Sequence, residues 1–348
     1  MKALRWHGHL DLRIDDVPVP TIIDPDDVII AVEACGICGS DVEEVRHGPI
    51  VIPTDEPHPL TATVAPVTLG HEIVGRVIAA GEQSGIDVGT RVAPLPLIWC
   101  GECTACLAGA IGRCEKVAVL GLARDGGLGE LVRVRGQHCV TVPEDMPPRV
   151  AATVEPYSVA IHALSGIDVE GLPIAVVGFG SVGACVADVA IANGAGSVVA
   201  IDPDAGVRNR AVHGGAELAV HPDETGGIEA PLVVEASGAL RGLATAAEVV
   251  TSGGTIILVG IRGGEVPVES SKLVFGEVTV VGRVGHDLTT MRASVAGLSN
   301  GSIGSRFADA EVVDLAFARR YLLGDTEFQS GRKIIVRPYL DESVSSKQ

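Results

Sequence analysis

Cys100, Cys103, Cys106 and Cys114 form a C-x2-C-x2-C-x7-C cluster, four soft ligands within fifteen residues. Four thiolates complete the tetrahedral sphere of Zn²⁺, and a closed site holds structure while leaving chemistry to other residues. Gly101, Gly109 and Gly112 free the backbone to wrap an ion. The competing readings are a pair of disulfides, or cysteines packed as small hydrophobes. Such crowding favours zinc over both. A second, mixed set of donors is scattered along the chain. Cys38 lies in Gly36-Ile37-Cys38-Gly39-Ser40-Asp41, His71 and Glu72 in Gly70-His71-Glu72, and Glu155 precedes Pro156. A thiolate, an imidazole and a carboxylate would leave the fourth position of a zinc ion open to water or substrate, as catalysis requires. Spacing alone also allows Cys38 as packing, His71 as a turn histidine and Glu155 as a helix-start carboxylate.

A third group of residues suits a dinucleotide. Gly178-Phe179-Gly180-Ser181-Val182-Gly183 follows the apolar run Ile174–Val177 and opens a helical stretch. In a G-x-G-x-x-G turn the first glycine makes the bend and the second admits a pyrophosphate. The third lets helix pack on strand, and the phosphates meet the positive end of the helix. Asp202 ends the next strand, Val198–Ile201, where a carboxylate accepts the ribose 2′-hydroxyl and repels a 2′-phosphate. NAD is therefore expected over NADP, with Arg208 and Arg210 near enough to soften the choice.

These residues need a scaffold, and the chain describes one. At 348 residues two domains are expected, and 47% hydrophobic with 20% charged residues is globular composition. The first half carries short β-branched runs, Val28–Val32, Ile73–Ile78 and Leu131–Val134, punctuated by Gly and Pro. After the linker-like Pro143–Arg149 the texture changes. Strands are expected at Pro173–Val177, Ser197–Ile201, Leu232–Glu235, Thr255–Val259 and Val278–Val281, with helices at Val182–Asn193 and Leu240–Val250. That alternation implies an α/β fold with a doubly wound parallel sheet covered on both faces. The tail Asp341–Gln348 reads as frayed.

A formal net charge of −18 argues against nucleic acid as a partner. The chain shows neither a membrane span nor a secretory leader, so a cytoplasmic location is expected, where eight cysteines suit metal ligation better than disulfides. Cys35, Cys139 and Cys185 are expected to be buried small side chains. The histidines outside the motifs, including His138 and His286, are expected to be surface or satisfied polar groups, with His58 and His162 able to line a cleft.

The sequence resembles the zinc-dependent medium-chain alcohol and polyol dehydrogenases. The shared elements, in order, are GICGSD, GHE, the four-cysteine lobe, Glu155-Pro156 and VGFGSVG, spanning nearly the whole chain. The stretches Gly48–Pro53 and Pro57–Thr61 are most similar to the 2,3-butanediol dehydrogenase branch, with sorbitol and threonine dehydrogenases as near relatives. The resemblance implies a GroES-like β-rich catalytic domain over 1–152, a Rossmann domain over 153–290, and a return of 291–348 to the first domain. It implies two Zn²⁺ per chain. Cys38, His71 and Glu155 would hold the catalytic ion, with Glu72 as an alternative ligand, and the four cysteines the structural one. It implies NAD, a small alcohol, diol or ketone as substrate, a homodimer or homotetramer, and a proton path beginning at Ser40. One departure stands out: the histidine that the family commonly carries five residues after the ligand cysteine is Glu43 here.

Overall fold

In the computed structural model, residues 1–261, 264–326, 328 and 331–339 are described, and the expected frayed tail lies outside them. Two sheets organise the chain. The second half forms a six-stranded parallel sheet in the order Leu218–Val220, Ser197–Ile201, Pro173–Val177, Ala230–Glu235, Val250–Leu258, Thr279–Gly282. Numbered along the chain this is 3-2-1-4-5-6, the doubly wound order that opens a crevice beside its first strand. The strand Pro173–Val177 shows why it sits at the centre. Ile174 and Val176 join one buried cluster and Ala175 and Val177 another, so both faces are covered. The strand Leu218–Val220 eluded sequence reading, since three residues carry no period.

The first half is β-rich. Its main sheet places Asp27–Gly36 between Glu72–Ala80 and Ile334–Val336, so a strand from the end of the chain pairs with one from the beginning. Ile335 lies opposite Gly36 and Val336 opposite Cys35, and Ile37 N–H donates to the Ile334 carbonyl. This return sets Lys333 against the segment that bears Cys38.

The two halves share a core. One cluster joins Ala34, Val74, Leu95 and Leu97 to Val154, Tyr157, Ile174 and Val186. The helix Val154–Leu164 runs along this seam and packs on the helix Leu288–Asn300. Ser294 Oγ donates to the Val154 carbonyl and Ser158 Oγ to Thr290 Oγ1, pinning the two helices with buried polar bonds. Among the described residues no helix is long and apolar enough to cross a membrane.

Candidate active site at the seam of the two halves

The four-cysteine lobe closes on itself. Cys100, Cys103, Cys106 and Cys114 offer donor atoms that all lie within 4.8 Å of one another. The sulfurs of Cys114 and Cys100 stand 3.5 Å apart, far beyond a disulfide bond, and all four cysteines are free. Backbone N–H groups of Cys100 and Lys116 point at the Cys114 sulfur, and that of Cys103 at Cys100. Backbone N–H groups of Cys106 and Glu115 lower the Cys103 thiol to about 6, whereas burial pushes Cys106 up to about 12, so the sulfurs of the lobe share their protons unequally. The donor set fits a structural Zn²⁺.

The second set converges from three elements. Cys38 stands at the N-cap of the helix Gly39–His47, and its N–H donates to Asp41 Oδ2 at 2.9 Å. His71 precedes, and Glu72 opens, the strand Glu72–Ala80. Donor atoms of Cys38, His71 and Glu72 all lie within 4.8 Å of one another, and His71 and Glu72 are buried. His71 Nδ1 and Glu72 Oε2 have no hydrogen-bond partner among the described residues. Orphaned buried donors in a soft and hard mixture are what a zinc ion would satisfy. Gly36 makes room for this, since a Cβ there would meet Glu72 Oε2 at 1.8 Å.

Glu155 lies in the first turn of Val154–Leu164 and faces the same group, although its carboxylate falls outside the 4.8 Å set. Burial raises it to about 7, against the attraction of His71. Burial opposes a charge on His71, yet Asp41, Cys38 and Glu155 together raise its pKa well above that of a free imidazole.

Two residues that sequence reading left unassigned belong to this site. Asp41 is fully buried, with Oδ1 3.8 Å from His71 Nδ1, beyond a hydrogen bond but near enough for its charge to raise the pKa of the imidazole. The quoted GICGSD segment contained it, but only folding sets it against His71. Lys333 Nζ is buried and donates to Glu72 Oε1 at 2.6 Å, the Ile37 carbonyl at 2.8 Å and Ser181 Oγ at 3.3 Å. One cation thus touches the carboxylate cluster and the glycine turn. Burial works against its charge, and Glu72 raises its pKa.

The glycine turn is divided by function. Gly178 has φ +83°, and a Cβ there would meet Ser237 at 2.5 Å; one on Gly183 would meet the Gly178 carbonyl at 2.0 Å. A Cβ on Gly180 would meet nothing within 4 Å, leaving the open cradle that a pyrophosphate needs at the N-cap of Ser181–Ala192. Val182 follows in that helix's first turn, and Phe179 is buried under the Arg306 guanidinium, 5.2 Å from its ring centroid. Asp202 accepts from Phe179 N–H at 2.8 Å and from Asp204 N–H at 2.9 Å, which ties it to the turn. Arg208 Nη1 is turned onto the backbone carbonyls of Asp202 and Pro203.

Ser40 lies half-buried beside Cys38, while Glu43 is exposed on the same helix. Cys35, Cys139 and Cys185 are buried, as expected. His138 is buried and stacks on Trp99, with centroids 4.3 Å apart. His286 departs from expectation: it is 3% exposed, and neither ring nitrogen has a hydrogen-bond partner among the described residues. A histidine in a Gly-His-Asp triplet gives no sequence signal of burial, because the seam around it comes from distant segments.

Comparison with known proteins identifies the family. Residues 24–144 match the alcohol dehydrogenase GroES-like domain and residues 181–300 the zinc-binding dehydrogenase domain. The chain is 34% identical over 299 residues to (R,R)-butanediol dehydrogenase of Bacillus subtilis, covering 82% of this chain and 85% of that one. A crystal structure of 2R,3R-butanediol dehydrogenase from Bacillus subtilis superposes with a TM-score of 0.86 at 33% identity, over 97% and 99% of the two chains. A zinc-binding dehydrogenase from Sinorhizobium meliloti 1021, solved bound to NADP, superposes with a TM-score of 0.85 at 28% identity, over 97% and 99%. The two domain matches, together with relatives above 30% identity over most of the chain, show that this chain is an oxidoreductase belonging to the zinc-dependent alcohol dehydrogenases, close to their butanediol branch.

Proposed function

We propose that the protein interconverts a vicinal diol and its acyloin, of the 2,3-butanediol and acetoin type, by hydride transfer to and from NAD. The observation that carries the hydride-transfer reading is the reach of Lys333 from Glu72 to Ser181, because it sets the carboxylate cluster beside the cofactor turn, and the choice of a diol rests on the likeness to butanediol dehydrogenase. Hydride transfer needs the reacting carbon and the nicotinamide in near-attack contact, about 3–3.5 Å.

Cys38, His71 and Glu155 or Glu72 would hold the catalytic zinc, and the four-cysteine lobe a second ion. Zinc there would supply Lewis-acid polarisation of a substrate oxygen. Asp41 places a carboxylate 3.8 Å from His71 Nδ1 and acts on the imidazole through its charge. Lys333 holds Glu72 Oε1, leaving Oε2 free. Ser40 Oγ, next but one to Cys38, would take the hydroxyl proton and pass it outward. NAD is supported by the Asp202 carboxylate at the strand end and by Arg208 facing the backbone instead of open space. The free cysteines suit a reducing cytoplasm. Self-association is supported by the uncovered edge strand Thr279–Gly282, flanked by Phe275 at 88% exposure; light scattering would show a dimer or tetramer.

Steady-state rates across 2,3-butanediol, sorbitol, threonine and bulkier cyclic alcohols test the substrate. A preference for 2,3-butanediol is expected. Higher kcat/KM on sorbitol or threonine would reassign the branch.

A further inference from the structure

His286 is buried, and its side-chain nitrogens are unmatched by any hydrogen bond among the described residues. Buried polar atoms are nearly always paired, so an orphaned ring calls for an occupant. The metal donors do not provide one. His286 lies outside the set formed by Cys38, His71 and Glu72, and its Nδ1 is 3.7 Å from Glu155 Oε1, too far for a hydrogen bond.

The ring is mounted rigidly. It follows Gly285, whose φ of +65° is a left-handed conformation that a side chain would strain. It precedes Asp287, which caps the helix Leu288–Asn300 through Thr290 N–H at 2.8 Å. Thr290 is in turn bonded to Ser158, one helical turn beyond Glu155. His286 and Glu155 are thus fixed to one frame, with the ring one side chain away from the donor set.

We infer that His286 is a substrate-binding residue whose imidazole hydrogen-bonds the oxygen on the carbon next to the reacting carbinol. This rests on the diol reading above. A neutral imidazole offers one donor and one acceptor, so it can donate to the ketone of an acyloin or accept from the hydroxyl of a diol. A simple secondary alcohol leaves both nitrogens unpaired, and a site built around a substrate polar group discriminates strongly against analogues lacking it.

The test compares kcat/KM for 2,3-butanediol and 2-butanol in the zinc-loaded enzyme with NAD. In His286→Phe, which keeps the ring and removes its nitrogens, the diol-to-monoalcohol ratio should fall about 10- to 100-fold. The loss should fall on KM for the diol, as expected for an interaction shared by ground and transition states. His286→Asn should recover part of the ratio. Zinc content and melting temperature establish that each variant is loaded and folded, and His286→Leu replaces the Phe variant if that fails to fold. An unchanged ratio, or parallel losses on both substrates with zinc retained, overturns the role of His286 while leaving the diol reading intact. A wild-type enzyme without preference for the diol overturns the diol reading itself, and the role of His286 with it.

Discussion

Replacing Lys333 by methionine should destabilise the whole chain, not only the site. Lys333 is 2% exposed, and its ammonium group donates to Glu72, to the Ile37 carbonyl and to Ser181. Methionine fills similar volume without a donor. Glu72, 0% exposed, then loses its only cationic partner among the described residues. Removing one partner of a buried ion pair costs about 3–5 kcal/mol, far more than the pair itself is worth. Urea unfolding followed by tryptophan fluorescence measures this, since Trp6 is fully buried. With an m-value of about 3 kcal/mol/M, the midpoint should fall by ~1–2 M. Adding Glu72→Gln to the variant should recover part of the loss, because the uncompensated charge disappears. A loss below about 1 kcal/mol for Lys333→Met, or no recovery in the double variant, would refute the argument that this pair is buried and coupled.

Cys103→Ser should release one zinc per chain and lower the melting temperature, because a closed zinc site contributes folding energy; metal analysis with melts checks it. Cys38→Ala should reduce kcat by at least about 1,000-fold, an effect of more than ~4 kcal/mol on the barrier, while NADH titration shows cofactor binding retained. Wild type should favour NAD over NADP in kcat/KM, and Asp202→Ala should narrow that ratio at least ~10-fold by removing the carboxylate that repels a 2′-phosphate. His138 tests pH. Burial against Trp99, together with Arg135, holds it at about 4, below the ~6.5 of an exposed histidine. The unfolded chain therefore binds the extra proton first, and stability should decline as pH falls from about 6.5 towards 4. In His138→Phe that decline should be shallower in urea titrations at successive pH values.

The parallel sheet could be read in the chain because its strands are short apolar runs separated by helical stretches, and each run is continuous enough to be buried on both faces. Val250–Leu258 begins five residues before the expected Thr255, as Gly253 and Gly254 mask its start. The cysteine lobe was legible because its four ligands are close neighbours, and local spacing constrains their geometry. Glu72 and Glu155 could not be ranked from sequence. Here Glu72 joins Cys38 and His71 within 4.8 Å, whereas Glu155 stands beside His286.

Local order along the chain thus determined everything that neighbouring residues can enforce: the thiolate lobe, the glycine turn with Asp202, the alternation of strands and helices, and the motifs that mark the family. Tertiary structure alone decided what distant residues do to one another. It set Asp41 against His71, led the final strand back so that Lys333 meets Glu72 and Ser181, and enclosed His286 beside Glu155. The physical reason is that burial and electrostatic contact depend on separation in space, and Lys333 and Glu72 are 261 positions apart in the chain but 2.6 Å apart in the fold.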